Sequence, residues 1–273
     1  MSMQRAARND ASEARGAKRT VSIEGRRQSF ECYGTGSPSI VFETGLGAES
    51  DEWESVRRAV GSRAQTFVYD RAGRGESDKG TGIRDAHALV GELHQLLKVV
   101  GVEPPHILVG HSLGGLLMRV FAHRYPDEVA GLVLVDSMHE DQFDVIGAAL
   151  PAPAASDTPE VIRLRGFWSE GWRRIGSTEE RLDLPAIVQQ GRDIASLGHL
   201  PMRVITAGTF SNSSVGTPAD RERLQSLWEG LQGRFLNMSS RAEQSFVRKC
   251  GHFVQRQNPL IIIEKILDLH RGV

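Results

Sequence analysis

The sequence predicts an α/β fold in which a mostly parallel central sheet of about eight strands is flanked by helices. Short apolar runs alternate along the chain with longer segments that carry apolar residues at helical spacing. The connections between these segments are short, as they are in strand–helix–strand units. A glycine-rich turn at residues 110–115 also joins a buried apolar run to a helical stripe. Together these observations favour one doubly covered sheet.

Each element follows from its local pattern. Two polar-alternating segments, 21–24 and 29–33, predict an antiparallel hairpin at the edge of the sheet. A helix over residues 85–100 is predicted by its apolar stripe, and Gly101 with the following prolines ends it. The other predicted strands are residues 39–43, 66–69, 107–109, 131–135, 203–206 and 245–248. The other predicted helices are residues 52–59, 113–124, 219–231 and 259–269.

The chain divides into three predicted regions. Residues 1–19 have several basic side chains and almost no large apolar residue, so a disordered leader is expected. Residues 20–136 and 201–273 form the predicted α/β core. Residues 137–200 contain amphipathic stretches and aromatic residues but no clear strand, which predicts a helical cap inserted after the sixth strand, over a site.

Composition excludes several classes of function. A formal net charge of −1 offers no concentrated positive field for nucleic acid. No apolar run has the length of a signal peptide or of a bilayer-spanning helix, so a cytoplasmic protein with no membrane partner is expected. Cys32 and Cys250 form no metal-ligand pattern, and H-E-x-x-H and Walker motifs are absent, so no metal or cofactor is expected. The sequence does not predict the oligomeric state.

Ser112 is the predicted nucleophile. The sequence Gly110-His111-Ser112-Leu113-Gly114 fits G-x-S-x-G and lies between a predicted strand and a predicted helix. A serine in this setting occupies a strained turn above the sheet, and side chains at the two glycines would collide with neighbouring elements. The amino end of the helix also favours negative charge in front of the serine. Motif and context therefore support each other.

Four motifs in this order resemble the α/β-hydrolase superfamily, and the resemblance extends from about residue 20 to the end. They are Thr-Gly-Leu-Gly at 44–47, Asp-Arg-Ala-Gly-Arg-Gly-Glu-Ser at 70–77, the serine turn at 110–114 and Gly-His-Phe at 251–253. The resemblance implies a serine esterase-like enzyme. It also implies an oxyanion loop at 44–47, with backbone N–H donors from Leu46 and Leu113.

His252 is the predicted general base, because a serine hydroxyl is a weak nucleophile until a neighbouring base takes its proton. It follows the last predicted strand and precedes the terminal helix. The residues predicted to line or support the substrate site are Gly45, His111, His139 and Trp168. Trp168 is one of several aromatic residues in the cap, which suggest a medium-sized apolar group on the substrate.

The acid that orients the histidine is predicted to be Asp136. The superfamily usually places it after the strand at 203–206, where residues 207–213 contain no carboxylate. Asp136 ends the strand at 131–135, a position from which some members, haloalkane dehalogenases among them, take their acid. It would hold the tautomer of His252 and stabilise the imidazolium. The alternative acids are Asp70, which also fits a structural turn with Arg71, and Glu140 and Asp141.

The predicted reaction is acyl transfer to Ser112 followed by hydrolysis, most simply of a small to medium carboxylic ester. A serine nucleophile argues against dehalogenase and epoxide-hydrolase chemistry, since those relatives use an aspartate. Lactonase, thioesterase, amidase or aminopeptidase, and C–C bond hydrolase remain alternatives on the same residues. A catalytically silent small-molecule receptor is a further alternative, against which the retention of Ser112 and His252 weighs.

Overall fold

A computed structural model, which describes residues 17–272, contains one eight-stranded sheet. The strands are β1 (Arg19–Ile23), β2 (Arg26–Tyr33), β3 (Ser39–Glu43), β4 (Thr66–Tyr69), β5 (His106–His111), β6 (Val129–Val135), β7 (Met202–Ala207) and β8 (Ala242–Val247). Their order is β1-β2-β4-β3-β5-β6-β7-β8. The pairs β1–β2 and β2–β4 are antiparallel and the others are parallel. The predicted mostly parallel sheet is therefore confirmed.

Nine helices surround the sheet in this part of the chain. They are α1 (Glu54–Val60), α2 (Ala86–Val100), α3 (Leu113–Arg124), α4 (Gln142–Ala149), α5 (Pro159–Ser169), α6 (Leu184–Arg192), α7 (Pro218–Arg234), α8 (Val254–Gln257) and α9 (Pro259–Arg271). The Asp85 side chain caps α2 by accepting the N–H of Ala88, and Gly101 ends this helix at a φ of 73°. The short helix α8 has no counterpart in the sequence prediction. Over residues 17–272 no helix has both the length and the apolar content of a bilayer crossing.

Apolar side chains cover both faces of the sheet, because its central strands alternate between them. Leu108 and Leu132 belong to the cluster that includes α2 and α3. Val109 and Val133 belong to the cluster on the opposite face, which includes α1 and α9. Burial on both faces fixes the register of β5 and β6, and so fixes where their carboxyl ends lie.

Helices α4, α5 and α6 lie between β6 and β7, as expected for a helical cap after the sixth strand. A third apolar cluster joins Ile146 of α4 and Val161 of α5 to Trp228 of α7. The cap thus packs on a core helix. Its limits of 137 and 200, as a unit, remain a prediction. Residues 1–16 of the predicted leader lie outside the described residues, and β1 begins at Arg19, one residue before the predicted start of the core.

Candidate active site

Ser112 lies at the junction of β5 and α3. Its backbone has φ 52° and ψ −120°, a conformation that L-residues rarely adopt and that functional turns often store as strain. A Cβ atom at Gly110 would overlap the carbonyl of Gly114, and one at Gly114 would overlap the carbonyl of Glu43. Both glycines are therefore required for α3 to pack this close to the sheet. The serine hydroxyl is held at the carboxyl edge of the sheet, at the amino end of α3.

His252 and Asp136 meet at this edge although they are far apart in sequence. Nδ1 of His252 lies 2.7 Å from Oδ2 of Asp136. Because a carboxylate can only accept, Nδ1 carries the hydrogen and donates it. No hydrogen bond within residues 17–272 uses Nε2 of His252, and this side chain lines the same cavity as Ser112. Nε2 is thus the ring nitrogen available to take a proton.

Asp136 is fully buried directly after β6, where its backbone has a φ of 42°. Oδ1 accepts the N–H of Ala207 at 2.9 Å and the indole N–H of Trp228 at 2.8 Å, and Oδ2 also accepts the hydroxyl of Thr209. Burial by itself raises the pKa of Asp136. The hydrogen bond and charge of His252 and the other donors outweigh burial, so this pKa lies below its usual value. The carboxylate is therefore ionised and aimed at the histidine.

The three alternative acids have other partners. Asp70 accepts the N–H of a residue that precedes α1, Glu140 pairs with a buried arginine, and Asp141 pairs with two arginines near the surface. The partners are Ser50 at 2.8 Å for Asp70, Arg119 at 2.6 Å for Glu140, and Arg192 at 3.2 Å and Arg234 at 2.9 Å for Asp141. Asp136 is the one of the four carboxylates that contacts His252.

In the part of the chain that the structure describes, one of the four N–H groups of the loop 44–47 has no acceptor. The other three donate to buried carboxylates: Thr44 to Glu43, Gly45 to Glu52, and Gly47 to Glu180, at 3.1, 3.0 and 2.8 Å. The N–H of Leu46 has no acceptor among the described residues, and neither has the N–H of Leu113. Both residues line the cavity together with Ser112. Two amides are thus available where the sequence places the oxyanion donors.

A cavity of about 480 Å³ opens at Ser112 and is enclosed by the cap, α7 and the loops at the sheet edge. Its lining is mostly apolar, and the aromatic members are Phe143, Phe167, Trp168, Phe210, Trp228 and Phe253. Of the residues that the structure describes, no lysine, arginine, aspartate or glutamate lines it. Trp168, which the sequence analysis expects near the substrate, is one of these lining residues. Within the described chain no group of three His, Cys, Asp or Glu side chains is arranged to hold a metal ion.

His111 does not line the cavity. It is buried behind His252, whose ring centroid lies 4.6 Å from its own. Nε2 of His111 donates to the carbonyl of His252 at 3.0 Å, and Nδ1 lies 3.5 Å from a carboxylate oxygen of Glu52. Burial lowers the pKa of His111, which keeps the ring neutral. The structure therefore gives it a supporting position under the histidine loop, not a substrate contact.

Gly45 and His139 also lie away from the cavity lining. Both polar groups of the Gly45 backbone are occupied, the N–H by Glu52 and the carbonyl by Arg71. Nδ1 of His139 accepts the N–H of Asp141 at 3.0 Å, so this buried ring stabilises the turn that precedes α4. Neither Gly45 nor His139 is therefore among the cavity-lining residues, in contrast to the prediction that they line or support the substrate site.

Because two histidines are buried, we expect the protein to become less stable in mild acid. Burial lowers the pKa of His106 and of His139 to about 4, whereas the unfolded value is about 6.5. Below pH 6.5 the unfolded chain therefore binds protons that the folded chain does not, and stability present above pH 6.5 is lost as the pH falls towards 4. Between pH 7.5 and 5.0 we expect the free energy of unfolding to drop by about 2 kcal/mol for each histidine. Urea unfolding at the two pH values measures this drop.

The control is the double variant His106→Asn/His139→Asn, whose amide oxygens can replace Nδ1 as acceptors. The hydroxyl of Ser39 lies 2.6 Å from Nδ1 of His106, and Asp141 donates to Nδ1 of His139. This variant should lose about 4 kcal/mol less than the wild type over the same interval. If the free energy of unfolding of the double variant depends on pH as it does in the wild type, other groups cause the loss of stability in acid.

The sequence prediction missed three residues that organise the site. Thr209 and Trp228 hold the carboxylate of Asp136, and the amide of Asn212 donates to the carbonyls of Gly208 and Cys250 at 2.7 and 3.1 Å. Asn212 thus ties the loop after β7 to the loop that carries His252. Residues 207–213 contain no carboxylate, but two of them, Ala207 and Thr209, donate hydrogen bonds to Asp136. A hydroxyl residue in a segment without a carboxylate is the sequence signal that could have indicated Thr209. No local signal marks Trp228, which is in the middle of α7.

Comparison with known proteins agrees with this architecture. The family model for the alpha/beta hydrolase fold matches residues 38–163. The uncharacterized protein YqjL of Bacillus subtilis strain 168 is 25% identical over 236 residues, which are 86% of this chain and 85% of that protein. Several other curated relatives are matched over only 33–41% of their own length.

Solved structures show the same fold. A thermophilic esterase from Thermogutta terrifontis matches with a TM-score of 0.61 and 19% identity, over 95% of this chain and 99% of that chain. An epoxide hydrolase variant from Vigna radiata matches with a TM-score of 0.66 and 16% identity, over 94% and 99% of the two chains. At these identities the likeness concerns the fold and not the reaction.

Proposed function

This chain belongs to the α/β-hydrolase superfamily, and from that premise we propose that it is a serine hydrolase of small to medium carboxylic esters. One observation carries the proposal. His252, which is paired with the buried Asp136, lines the same cavity as the strained Ser112. A nucleophile, a base and an orienting acid are the groups that acyl transfer through a serine requires.

The proposed mechanism uses these groups in order. Nε2 of His252 takes the proton of the Ser112 hydroxyl as its oxygen attacks the ester carbonyl, and Asp136 stabilises the imidazolium. The N–H groups of Leu46 and Leu113 receive the negative charge that develops on the carbonyl oxygen. The imidazolium then donates its proton to the departing alcohol. A water molecule, activated by the same histidine, releases the acid from Ser112.

The cavity favours an uncharged substrate. An ion bound in an apolar lining with no charged partner would lose its hydration without compensation. An aminopeptidase substrate carries an ammonium group, and between residues 17 and 272 no carboxylate lines the cavity to receive it. Neutral esters fit both the lining and the volume, and lactones and simple thioesters share that neutrality. Carboxylic esters are also less demanding acyl donors than amides, which favours an esterase over the amidase alternative.

A panel of 4-nitrophenyl esters tests this proposal. The butyrate and the hemisuccinate have acyl chains of similar length, but the second ends in a carboxylate. We expect kcat/KM for the butyrate to exceed that for the hemisuccinate by about 100-fold or more, since the buried carboxylate would have no partner. L-Leucine 4-nitroanilide should be cleaved more slowly still.

Equal rates for the two esters, or a preference for the aminoacyl anilide, would contradict the substrate class. Failure to turn over any neutral ester, lactone or thioester, together with no labelling by a fluorophosphonate probe, would favour the silent receptor instead. Mass spectrometry of the labelled protein should locate the probe on the peptide that contains Ser112.

A further inference from the structure

Glu180 is a cap residue whose carboxylate is buried in the core. It lies between α5 and α6, and its side chain is 1% exposed. Oε2 accepts Nε–H of Arg71 at 2.6 Å, and Oε1 accepts Nη2–H of Arg71 at 2.9 Å. Oε1 also accepts the N–H of Gly47 at 2.8 Å. One carboxylate of the cap therefore holds both an arginine and the end of the loop 44–47.

Arg71 extends this contact to the other side of the loop. Nη1 donates to the carbonyl of Thr44 at 2.8 Å and to Glu43 at 2.6 Å, and Nη2 donates to the carbonyl of Gly45 at 2.6 Å. The guanidinium is fully buried, so these acceptors and Glu180 take the place of water. Asp70 and Arg71 both belong to the turn that follows β4, but the side chain of Arg71 pairs with Glu43 and Glu180.

The carbonyl of Gly45 and the N–H of Leu46 belong to one peptide unit. Because that unit is planar and trans, its C=O and N–H bonds point in opposite directions. Holding the Gly45 carbonyl against Arg71 therefore turns the Leu46 N–H away from the arginine. Glu180 fixes the next N–H, that of Gly47, and so the Leu46 peptide is restrained on both sides.

We propose that Glu180 is a positioning residue, through which the cap orients the Leu46 N–H by holding Arg71 and Gly47. The catalytic consequence rests on the proposed function, in which Leu46 is an oxyanion donor. The structural part of the proposal, that Glu180 keeps the loop 44–47 ordered, is independent of the proposed function. If the cap shifted away from the core, Glu180 would lose its contacts to Arg71 and Gly47, and the Leu46 N–H would no longer be held in one orientation. The position of the cap would thus affect the stabilisation of the transition state.

Glu179 provides a matched control. It precedes Glu180 in the same cap segment, but its side chain is 82% exposed and pairs with Arg74 at 2.5 Å. Glu179→Gln removes the same charge from the same segment, and the Glu179 carboxylate makes no hydrogen bond to the loop 44–47 among the described residues. Glu180→Ala removes every contact of the carboxylate, whereas Glu180→Gln keeps an acceptor for Gly47 and removes the charge that faces Arg71.

The first arm of the test is hydrogen–deuterium exchange of the backbone, which needs no activity. In Glu180→Ala we expect the amides of residues 44–48 to exchange about 10-fold faster or more, because Gly47 loses its acceptor and the loop its restraint. Exchange in β5 should stay unchanged, and Glu179→Gln should behave as the wild type. If Glu180→Ala does not fold, Glu180→Gln decides this arm, with a smaller increase in the same amides.

The second arm is kinetic, with 4-nitrophenyl butyrate as substrate. We expect kcat to fall about 10- to 100-fold in the Glu180 variants with KM nearly unchanged, since the oxyanion forms only in the transition state. A trifluoromethyl ketone forms a tetrahedral adduct when the Ser112 hydroxyl adds to its carbonyl and His252 takes the proton. The inhibition constant of this ketone should rise by the same factor as kcat falls. A loss of packing alone would not change the inhibition constant and kcat by the same factor.

The outcomes separate this inference from the proposed function. Wild-type exchange at residues 44–48 in both Glu180 variants overturns the inference, whatever the activity. So does a rise in KM with kcat unchanged. If the wild type hydrolyses no ester, the proposed function fails, and the exchange arm still decides whether Glu180 holds the loop.

Discussion

Replacing Ser112 with alanine is expected to lower kcat for 4-nitrophenyl butyrate by about a millionfold and to abolish labelling by a fluorophosphonate probe. The alanine side chain offers no oxygen for attack, so His252 and Asp136 have no hydroxyl to activate. Residual hydrolysis would come from Leu46, Leu113 and substrate binding alone. Activity assays on freshly purified variant and gel-based labelling measure the two effects.

Ser213→Ala is the matched control for this change. Ser213 lines the same cavity, but its hydroxyl donates to the carbonyl of Phe210 at 2.8 Å. We expect its kcat to stay within a few-fold of the wild type. The thermal midpoint of Ser112→Ala should also be close to that of the wild type, because alanine keeps the Cβ atom that makes a φ of 52° unfavourable. Labelling that persists in Ser112→Ala would place the nucleophile elsewhere.

The sequence was sufficient for those parts of the site that depend on local pattern. The strand, the glycines and the helix around Ser112 each have their own signature, and packing requires Gly110 and Gly114 for the reason that the motif implies. The end of β6 could also be recognised in the sequence, so Asp136 could be placed at the carboxyl edge of the sheet. Parallel strands bring their carboxyl ends together whatever the loops do.

Side-chain direction and long-range contacts were beyond the sequence. His111 is adjacent to the nucleophile in sequence, yet its ring contacts the carbonyl of His252 and does not line the cavity. Successive residues at the end of a strand point to opposite sides of the sheet. Arg71 and Glu180 meet across more than a hundred residues, and nothing in either local sequence indicates a partner in the other. Trp228 reaches Asp136 only because α7 packs against the cap and the end of β7. Such pairings are fixed by the assembled fold.

Replacing Asp136 with asparagine is expected to lower kcat by about 10⁴-fold with little change in KM. Two donors, the N–H of Ala207 and the indole N–H of Trp228, converge on Oδ1. They oblige the asparagine to keep its carbonyl oxygen there and to turn its NH₂ group towards Nδ1 of His252. The ring must then accept at Nδ1 and carry its hydrogen on Nε2, which is the nitrogen that has to take the serine proton.

The control for this change is Asp141→Asn, because Asp141 follows the same strand and pairs instead with Arg192 and Arg234. It should keep nearly full activity. Asn212→Ala is a poorer comparison, since Asn212 holds the carbonyl of Cys250 beside the histidine loop. If Asp136→Asn retains activity within about tenfold of the wild type, the tautomer of His252 does not depend on Asp136. The four hydrogen bonds that the carboxylate accepts would then serve the fold alone, and another group would have to orient the base.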